Sequence, residues 1–183
     1  MAHSFTTFTG GSVGPWRVMS IRTARGESLP NVARIAIAQT PQIPERTASW
    51  QLTGVASYVR YVGKAEEAAL SARHIGLGRP EATRAALIPI LKSPAWWGLT
   101  QEERRAIFET RSRHIAESLK FLPAVQRQLY HCHDLGGAFD FLTWFEFAPA
   151  DADRFEELVG YLRQTEEWNY IEREVDLRLS REP

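Results

Sequence analysis

The order of strand-like and helix-like segments in the second half of the chain constrains the fold most. Strand-like segments alternate apolar and polar residues, whereas helix-like segments repeat apolar residues every three or four positions. In one segment Pro89 argues against a helix through its middle, so we interpret that segment as a buried strand. The strand-like segments are 81–93, 124–132, 139–147 and 170–179, and the helix-like segments are 99–120 and 151–164.

This order is strand, helix, strand, strand, helix, strand, which is the order of the βαββαβ ferredoxin-like unit. The first half offers three strand-like segments, 16–24, 31–39 and 49–62, followed by a helix-like segment at 64–75. It therefore resembles a shortened version of the same unit. We predict an α+β fold in which two ferredoxin-like halves, residues 1–80 and 81–183, join their sheets into one α+β barrel within a single domain.

Within these segments the patterns predict which side chains share a face. The helix over 99–120 begins with a capping box, Thr100 and Glu103. Its predicted apolar stripe is Ile107, Phe108, Ile115 and Leu119. The strand over 139–147 is predicted to place Phe139, Phe141, Phe145 and Phe147 on one face. The last strand is predicted to place Ile171, Val175, Leu177 and Leu179 inside, with its charged residues opposite.

Composition excludes several classes of function. The 183 residues carry 22 basic and 22 acidic side chains, so the total charge gives no reason to expect nucleic acid or a membrane surface as a partner. Cys132 is the only cysteine, which excludes an intrachain disulfide framework and fits a reducing compartment. The chain shows neither a secretory signal pattern nor an apolar run long enough to span a membrane. We therefore expect a soluble, cytoplasmic protein.

One cation in this pattern needs an explanation. Arg127 is predicted to share a strand face with Val125 and Leu129, although burying an unpaired guanidinium is costly. A salt bridge to Glu or Asp on a neighbouring strand would explain it. His114 taken alone reads as a histidine at the edge of a core helix.

A second histidine cluster, His131 and His133 with Asp134, has no further predicted metal ligand, so we interpret it as a surface cluster.

Taken together, His114, Arg127 and Lys92 beside Trp96 and Trp97 fit a flat, anionic, apolar cofactor. Haem has this character, because its iron takes an axial imidazole and its macrocycle packs against aromatic side chains. Spacing alone leaves core packing open as an explanation of the two tryptophans.

Four stretches of the chain have a distinctive identity and spacing: "GLGRPEATRAALIPILKSPAWW", "ERRAIFETRSRHIAESLKFLPAVQRQLYHCHDLG", "FDFLTWFEFAP" and "LRQTEEWNYIEREVDLRL". They resemble the chlorite dismutase family, specifically its short-chain, dimeric branch. The resemblance runs from about residue 50 to residue 180. It implies a homodimeric haem b enzyme that converts chlorite to chloride and dioxygen, on two ferredoxin-like halves of which the first is truncated.

The resemblance also implies roles for single residues. His114 matches the haem ligand on the iron, and Glu167 matches the carboxylate that accepts a hydrogen bond from the other nitrogen of that histidine. Arg127 matches the catalytic arginine on the opposite side of the haem, where it would hold an incoming anion.

The remaining matches concern the haem surroundings. Lys92 and Tyr61 match contacts to the propionates, and Trp96 and Trp97 match the aromatic wall beside the haem. His74 stands near a position where related short chains carry a glutamine that bonds the catalytic arginine.

Two other functions remain open at this point. A coproheme decarboxylase belongs to the same superfamily, but it carries glutamine where this chain has Arg127. A haem carrier without enzymatic activity, or a ferredoxin-like dimer without a cofactor, is the third interpretation.

Overall fold

Eight antiparallel strands form a closed barrel in the part of the chain that the structure describes. The computed structural model describes residues 5–39, 48–56, 76–111 and 117–182. The strands are β1 (Phe5–Gly11), β2 (Trp16–Arg25), β3 (Arg34–Ala38), β4 (Trp50–Ala56), β5 (Arg84–Lys92), β6 (Val125–His131), β7 (Phe141–Phe147) and β8 (Ile171–Ser180). Their order around the barrel is β1-β3-β2-β8-β5-β7-β6-β4, and pairing of β4 with β1 closes it.

The strand order repeats between the two halves of the chain. It is β4-β1-β3-β2 in the first half and β8-β5-β7-β6 in the second. When the strands of each half are numbered along the chain, both halves therefore have the same spatial order: fourth, first, third, second. The β2–β8 and β4–β6 ladders join the two halves into one sheet.

The first half differs from its prediction in one strand and in several boundaries. Strand β1 was missed because its sequence, FTTFTGG, does not alternate between apolar and polar residues. Strand β2 lies where it was predicted, whereas β3 is shorter than the predicted 31–39. Strand β4 fills the first part of the predicted 49–62, and the rest of that segment lies outside the described residues, as does the predicted helix over 64–75.

Helices occupy the connections of the second half. They are α1 (Pro94–Gly98), α2 (Gln101–Arg105), a π-helical turn (Ala106–Arg111) and α3 (Ala152–Leu162), together with short 3-10 helices at Leu119–Phe121, His133–Leu135, Pro149–Asp151 and Glu166–Tyr170. The predicted capping box is confirmed, because the Thr100 hydroxyl accepts from the Glu103 N–H at 3.2 Å and the Glu103 carboxylate accepts from the Thr100 N–H at 2.7 Å. Residues 112–116 of the predicted helix lie outside the described residues. No described helix is long and apolar enough to span a membrane.

Apolar side chains form two clusters, one on each side of the sheet. Inside the barrel, Phe8, Ile35 and Trp144 pack with Val175, Leu177 and Leu179. On the other side, which we call the outer face, α3 covers the sheet of the second half. The outer-face cluster includes Ala86, Ile88, Ile90, Val125, Phe145, Phe155 and Leu158.

Two predicted faces are wrong at their first residue. Phe139 precedes β7 and is buried inside the barrel, whereas Phe145 and Phe147 belong to the outer face. Ile171 likewise belongs to the outer face, away from Val175, because the β5–β8 register shifts between Leu91 and Lys92. A shift of one residue reverses the side to which a side chain points.

The charged residues of β8 lie opposite Val175, Leu177 and Leu179, as predicted, and two of them are buried. Glu174 and Asp176 are 2% and 3% exposed. Both accept hydrogen bonds from Arg163, and Asp176 is also held by Arg178. The opposite charges on this buried face satisfy one another. Charged residues that alternate with apolar residues therefore give the same sequence pattern whether their face is buried or exposed to solvent.

The segment over 81–93 is a strand, as interpreted, and Pro89 lies within it. The β5–β8 ladder pairs Leu87 with Leu177 and resumes only at Ile90 and Glu174. Proline lacks an N–H to donate, and it stands in this interruption of the ladder.

Candidate functional site

An apolar strip crosses the outer face of the second-half sheet. Thr143 lies directly opposite Ile88 on one side and Leu129 on the other, and Phe141 lies opposite Ile90. Residues that face each other across a ladder share one side of the sheet. These five residues therefore form a continuous surface, which we call the apolar floor.

Arg127 stands at one end of the apolar floor. It pairs directly with Phe145, which places it on the outer face beside Val125, as predicted. Burial lowers the pKa of the guanidinium, while the negative charges of Glu167 and Glu109 oppose that shift. Arginine keeps its proton under these conditions. The positive charge of Arg127 is therefore compensated in part by two carboxylates from helical segments.

Lys92 and Glu167 form a buried ion pair at the other end. The Lys92 Nζ lies 2.7 Å from the Glu167 Oε1, and their side chains are 3% and 10% exposed. Burial lowers the pKa of Lys92, and the charge and hydrogen bond of Glu167 oppose that effect. The ammonium also lies 4.2 Å from the centre of the Trp96 ring. Glu167 thus engages the ammonium that the family resemblance assigned to a propionate, and that assignment stays a prediction.

The neighbouring acids Glu166 and Glu167 have different surroundings. The Glu166 carboxylate accepts from exposed Arg111 at 2.6 Å, which ties its 3-10 helix to the π-helical turn. Glu167 instead points inward to Lys92. His114 follows Arg111 by three positions in the chain. The ion pair between Arg111 and Glu166 therefore anchors the chain just before the predicted haem ligand. Glu167 is the buried acid of the two.

Trp96 and Trp97 serve different surfaces. Trp96 is buried and packs edge-to-face on Tyr170, with ring centroids 5.5 Å apart. Trp97 is half-buried and lies parallel to Phe141 at 6.2 Å, next to the apolar floor. Trp97 therefore borders the apolar floor through its ring contact with Phe141, while Trp96 supports the Lys92 ammonium.

Asp140 was not predicted as a site residue, yet it links several of them. Its carboxylate is buried and accepts from the Lys92 N–H at 2.7 Å and from the Trp97 indole N–H at 3.2 Å. It also lies 2.5 Å from the His133 Nδ1. An isolated aspartate beside a phenylalanine-rich strand carries no motif, so only the three-dimensional contacts identify it.

The second histidine cluster has structural partners. His133 stacks on Trp97 with centroids 3.6 Å apart, and His131 meets the edge of Phe141 at 5.0 Å. Among the described residues no group of three or more histidine, cysteine or acidic side chains is placed to hold a metal ion.

The structure brings five of the eight predicted site residues to one side of the sheet or to its edge: Lys92, Trp96, Trp97, Arg127 and Glu167. The other three, Tyr61, His74 and His114, lie outside the described residues. Their roles stay predictions.

A family model described as chlorite dismutase matches residues 25–182. The chain is also 34% identical to the chlorite dismutase of Ideonella dechloratans over 121 residues. That match covers 65% of this chain and 40% of the relative, so the chain spans less than half the length of this curated relative.

Solved structures extend the comparison. A dimeric chlorite dismutase from Nitrobacter winogradskyi is 61% identical, covers 96% of this chain and 99% of its own, and superposes with a TM-score of 0.90. A mutant chlorite dismutase from Candidatus Nitrospira defluvii in complex with cyanide is 22% identical, with a TM-score of 0.69, over 100% of this chain and 92% of its own. The second likeness shows a shared fold. The family model covers most of the chain, and on that evidence the chain belongs to the chlorite dismutase family.

Proposed function

We propose that this protein binds haem b and decomposes chlorite to chloride and dioxygen. The observation that carries the proposal is the placement of Arg127 at one end of the apolar floor and of the Lys92–Glu167 ion pair at the other. The 61% identity to a dimeric chlorite dismutase supports the same function.

The residues of the outer face fit a haem. From the row of Arg127 and Ala86 to Lys92 the sheet runs six residues, or roughly 20 Å at the usual rise of a strand. Over this length the floor carries Ile88, Ile90 and Phe141, apolar side chains of the kind that pack against a flat macrocycle, and Ile88 and Ile90 are buried among their neighbours. Arg127 and Lys92 belong to the residue rows at its two ends. His114 would supply the imidazole for the iron, and Tyr61 is the proposed propionate contact.

Glu167 is the proposed partner of the His114 ring N–H. A carboxylate in that position fixes the orientation of the imidazole and makes it a more basic ligand. Lys92 donates to the same carboxylate and so lowers its capacity to accept from His114. We infer that Lys92 acts on the haem through Glu167, by tuning how strongly the carboxylate polarises the histidine.

Arg127 is the proposed anion-binding residue. When bound, haem would supply the oxygen-transfer chemistry that converts chlorite to chloride and dioxygen. The guanidinium offers a fixed, planar set of donors to the chlorite anion and then to the hypochlorite that remains. It would keep hypochlorite within the site until its oxygen leaves as dioxygen and chloride departs. His74 is the proposed neighbour that orients Arg127.

The proposal extends to the fold and the assembly. The repeated strand order supports two ferredoxin-like halves, residues 1–80 and 81–183, because fourth, first, third, second is the order that a βαββαβ unit produces. In the first half β1 and β2 are joined by only four residues, which supports its truncation. We propose a homodimer by similarity to the dimeric relative, and a cytoplasmic location from the single cysteine.

An oxygen electrode tests this function. Protein reconstituted with haem b should release about one O2 per chlorite, as the reaction requires, and His114→Ala should take up little haem and release almost none. A haem-loaded wild type that releases no O2 would contradict the proposal. Loss of carbon dioxide from added coproheme would assign the chain to the decarboxylase alternative instead.

A further inference from the structure

The carboxylate of Asp140 joins three elements that border the proposed haem site. Its Oδ2 accepts from the backbone N–H of Lys92 and from the indole N–H of Trp97, and its Oδ1 faces the imidazole of His133. The side chain is 4% exposed, so these contacts replace water around a charged group. The proposed chemistry gives Asp140 no contact with substrate.

Lys92 needs this contact because it lies beyond the end of the β5–β7 ladder. The last pair of that ladder is Ile90 and Phe141, and the Ile90 carbonyl accepts from the Asp140 N–H. Alternate residues of an antiparallel strand direct their backbone groups to the same neighbouring strand, so the Lys92 N–H faces the β7 side, where the ladder has already ended. The Lys92 N–H donates to Asp140 at this point, and its side chain reaches Glu167 at 2.7 Å.

Trp97 is held through the same carboxylate oxygen. Its indole donates at 3.2 Å, and its ring is stacked on His133, which lies 2.5 Å from the other oxygen of Asp140. The guanidinium of Arg104 lies 5.2 Å from the ring centre. One buried atom, Asp140 Oδ2, accepts from both Lys92 and Trp97 and so holds the end of β5 to the start of α1. We call this pair of hydrogen bonds the clip.

We propose that Asp140 is a positioning residue that places the Lys92 ammonium on Glu167 and thereby sets how strongly Glu167 polarises the haem ligand. The second step rests on the proposed function. The negative charge of Asp140 adds to the effect, because it also favours the protonated form of Lys92. Removing the clip frees Lys92, and Glu167 then accepts more strongly from His114. A more anionic imidazole stabilises the oxidised iron and lowers its reduction potential.

The clip itself is tested in haem-free protein by hydrogen exchange of the Lys92 amide and the Trp97 indole N–H, followed by 15N NMR. Asp140→Ala should speed both exchange rates by roughly tenfold or more, since a hydrogen bond to a charged group is lost. Asp140→Asn should change them much less, because its amide oxygen still accepts. Unchanged rates at both positions in Asp140→Ala would overturn the clip.

The effect on the haem is tested by reduction potentials of the loaded protein. Asp140→Asn removes the charge but keeps an acceptor, so it is the reference for the loss of charge alone. Asp140→Ala should have a lower potential than Asp140→Asn, and this difference should vanish when both carry Lys92→Met. A difference that persists without Lys92 would show that Asp140 acts by another route. Failure of the wild type to take up haem would remove the proposed function and the effect on the haem ligand, while the exchange rates would still decide the clip.

Discussion

The ammonium of Lys92 lies 2.7 Å from the carboxylate of Glu167, and this buried ion pair ties the last residue of β5 to the 3-10 helix before β8. Its members are 75 positions apart in the chain. The pair therefore connects the sheet that carries Arg127 with the segment that we propose to support the haem ligand.

Removing one member of this pair should destabilise the haem-free protein. Lys92→Met removes the ammonium that donates to the buried Glu167 carboxylate, and breaking a buried ion pair in this way typically costs about 3–5 kcal/mol. Glu167→Gln alone should cost less, because a neutral amide can still accept from Lys92. The double variant should lose less than the sum of the two single losses. Urea unfolding measures all three free energies, and strict additivity would show that the pair contributes no coupling.

Glu167→Gln should retain haem but raise the iron reduction potential. A neutral amide polarises the His114 ring less than a carboxylate does, so the oxidised iron is less stabilised. Glu166→Gln is the matched control, since Glu166 pairs with exposed Arg111 and should leave the potential unchanged. Spectroelectrochemical titration measures both variants. A change of reduction potential in Glu166→Gln but not in Glu167→Gln would identify Glu166 as the acid that polarises His114.

Three of the eight predicted site residues, Tyr61, His74 and Glu167, came from the family resemblance alone, and the sequence by itself explains only part of the arrangement of the other five. Alternation in 124–132 is enough to place Arg127 on the same face as Val125. Alternation cannot reveal the register shift at Lys92, because the shift depends on how β5 pairs with a strand about 80 residues later. Asp140 was missed for the same reason, since its partners Lys92, Trp97 and His133 meet only in the folded chain.

Acid should remove stability that Asp176 provides. Burial alone would raise the pKa of Asp176, but the hydrogen bonds and charges of Arg178 and Arg163 outweigh it and lower the pKa. The ionised form is therefore favoured in the folded state. Its contribution is present above the unfolded pKa, about 4, and is lost as the pH falls through the lower folded value.

Asp176→Asn should accordingly be less stable than wild type at pH 7 by roughly 1.5–3 kcal/mol, and this difference should shrink below about pH 4. Exposed Asp134 provides the control, as Asp134→Asn should change stability little at either pH. Urea unfolding at several pH values gives the comparison. A difference that stays constant from pH 7 to pH 2.5 would contradict the assigned pKa direction.

The single thiol should be unreactive in the native protein. Burial raises the pKa of Cys132 to about 12, and the side chain belongs to the core inside the barrel. Because the thiolate is the reactive form, iodoacetamide at pH 8 should label Cys132 only after the protein unfolds. Mass spectrometry of native and urea-unfolded samples checks this. Rapid labelling of the native protein would show that the barrel interior near Cys132 opens readily.

The most direct test of the proposed site is the reaction of Arg127→Ala with chlorite, in which initial rate, total O2 and chlorination of a trapping dye are measured together. Arg127 is proposed to retain hypochlorite, so the variant should bind haem and turn over, yet chlorinate more dye and lose activity after fewer cycles. Gln128→Ala, on the neighbouring position of β6, is the matched control and should behave as wild type. A fall in initial rate of roughly 100-fold without added dye chlorination would instead assign Arg127 to the first oxygen transfer. Rate, O2 yield and dye chlorination that all match wild type would contradict any role for Arg127 in the reaction.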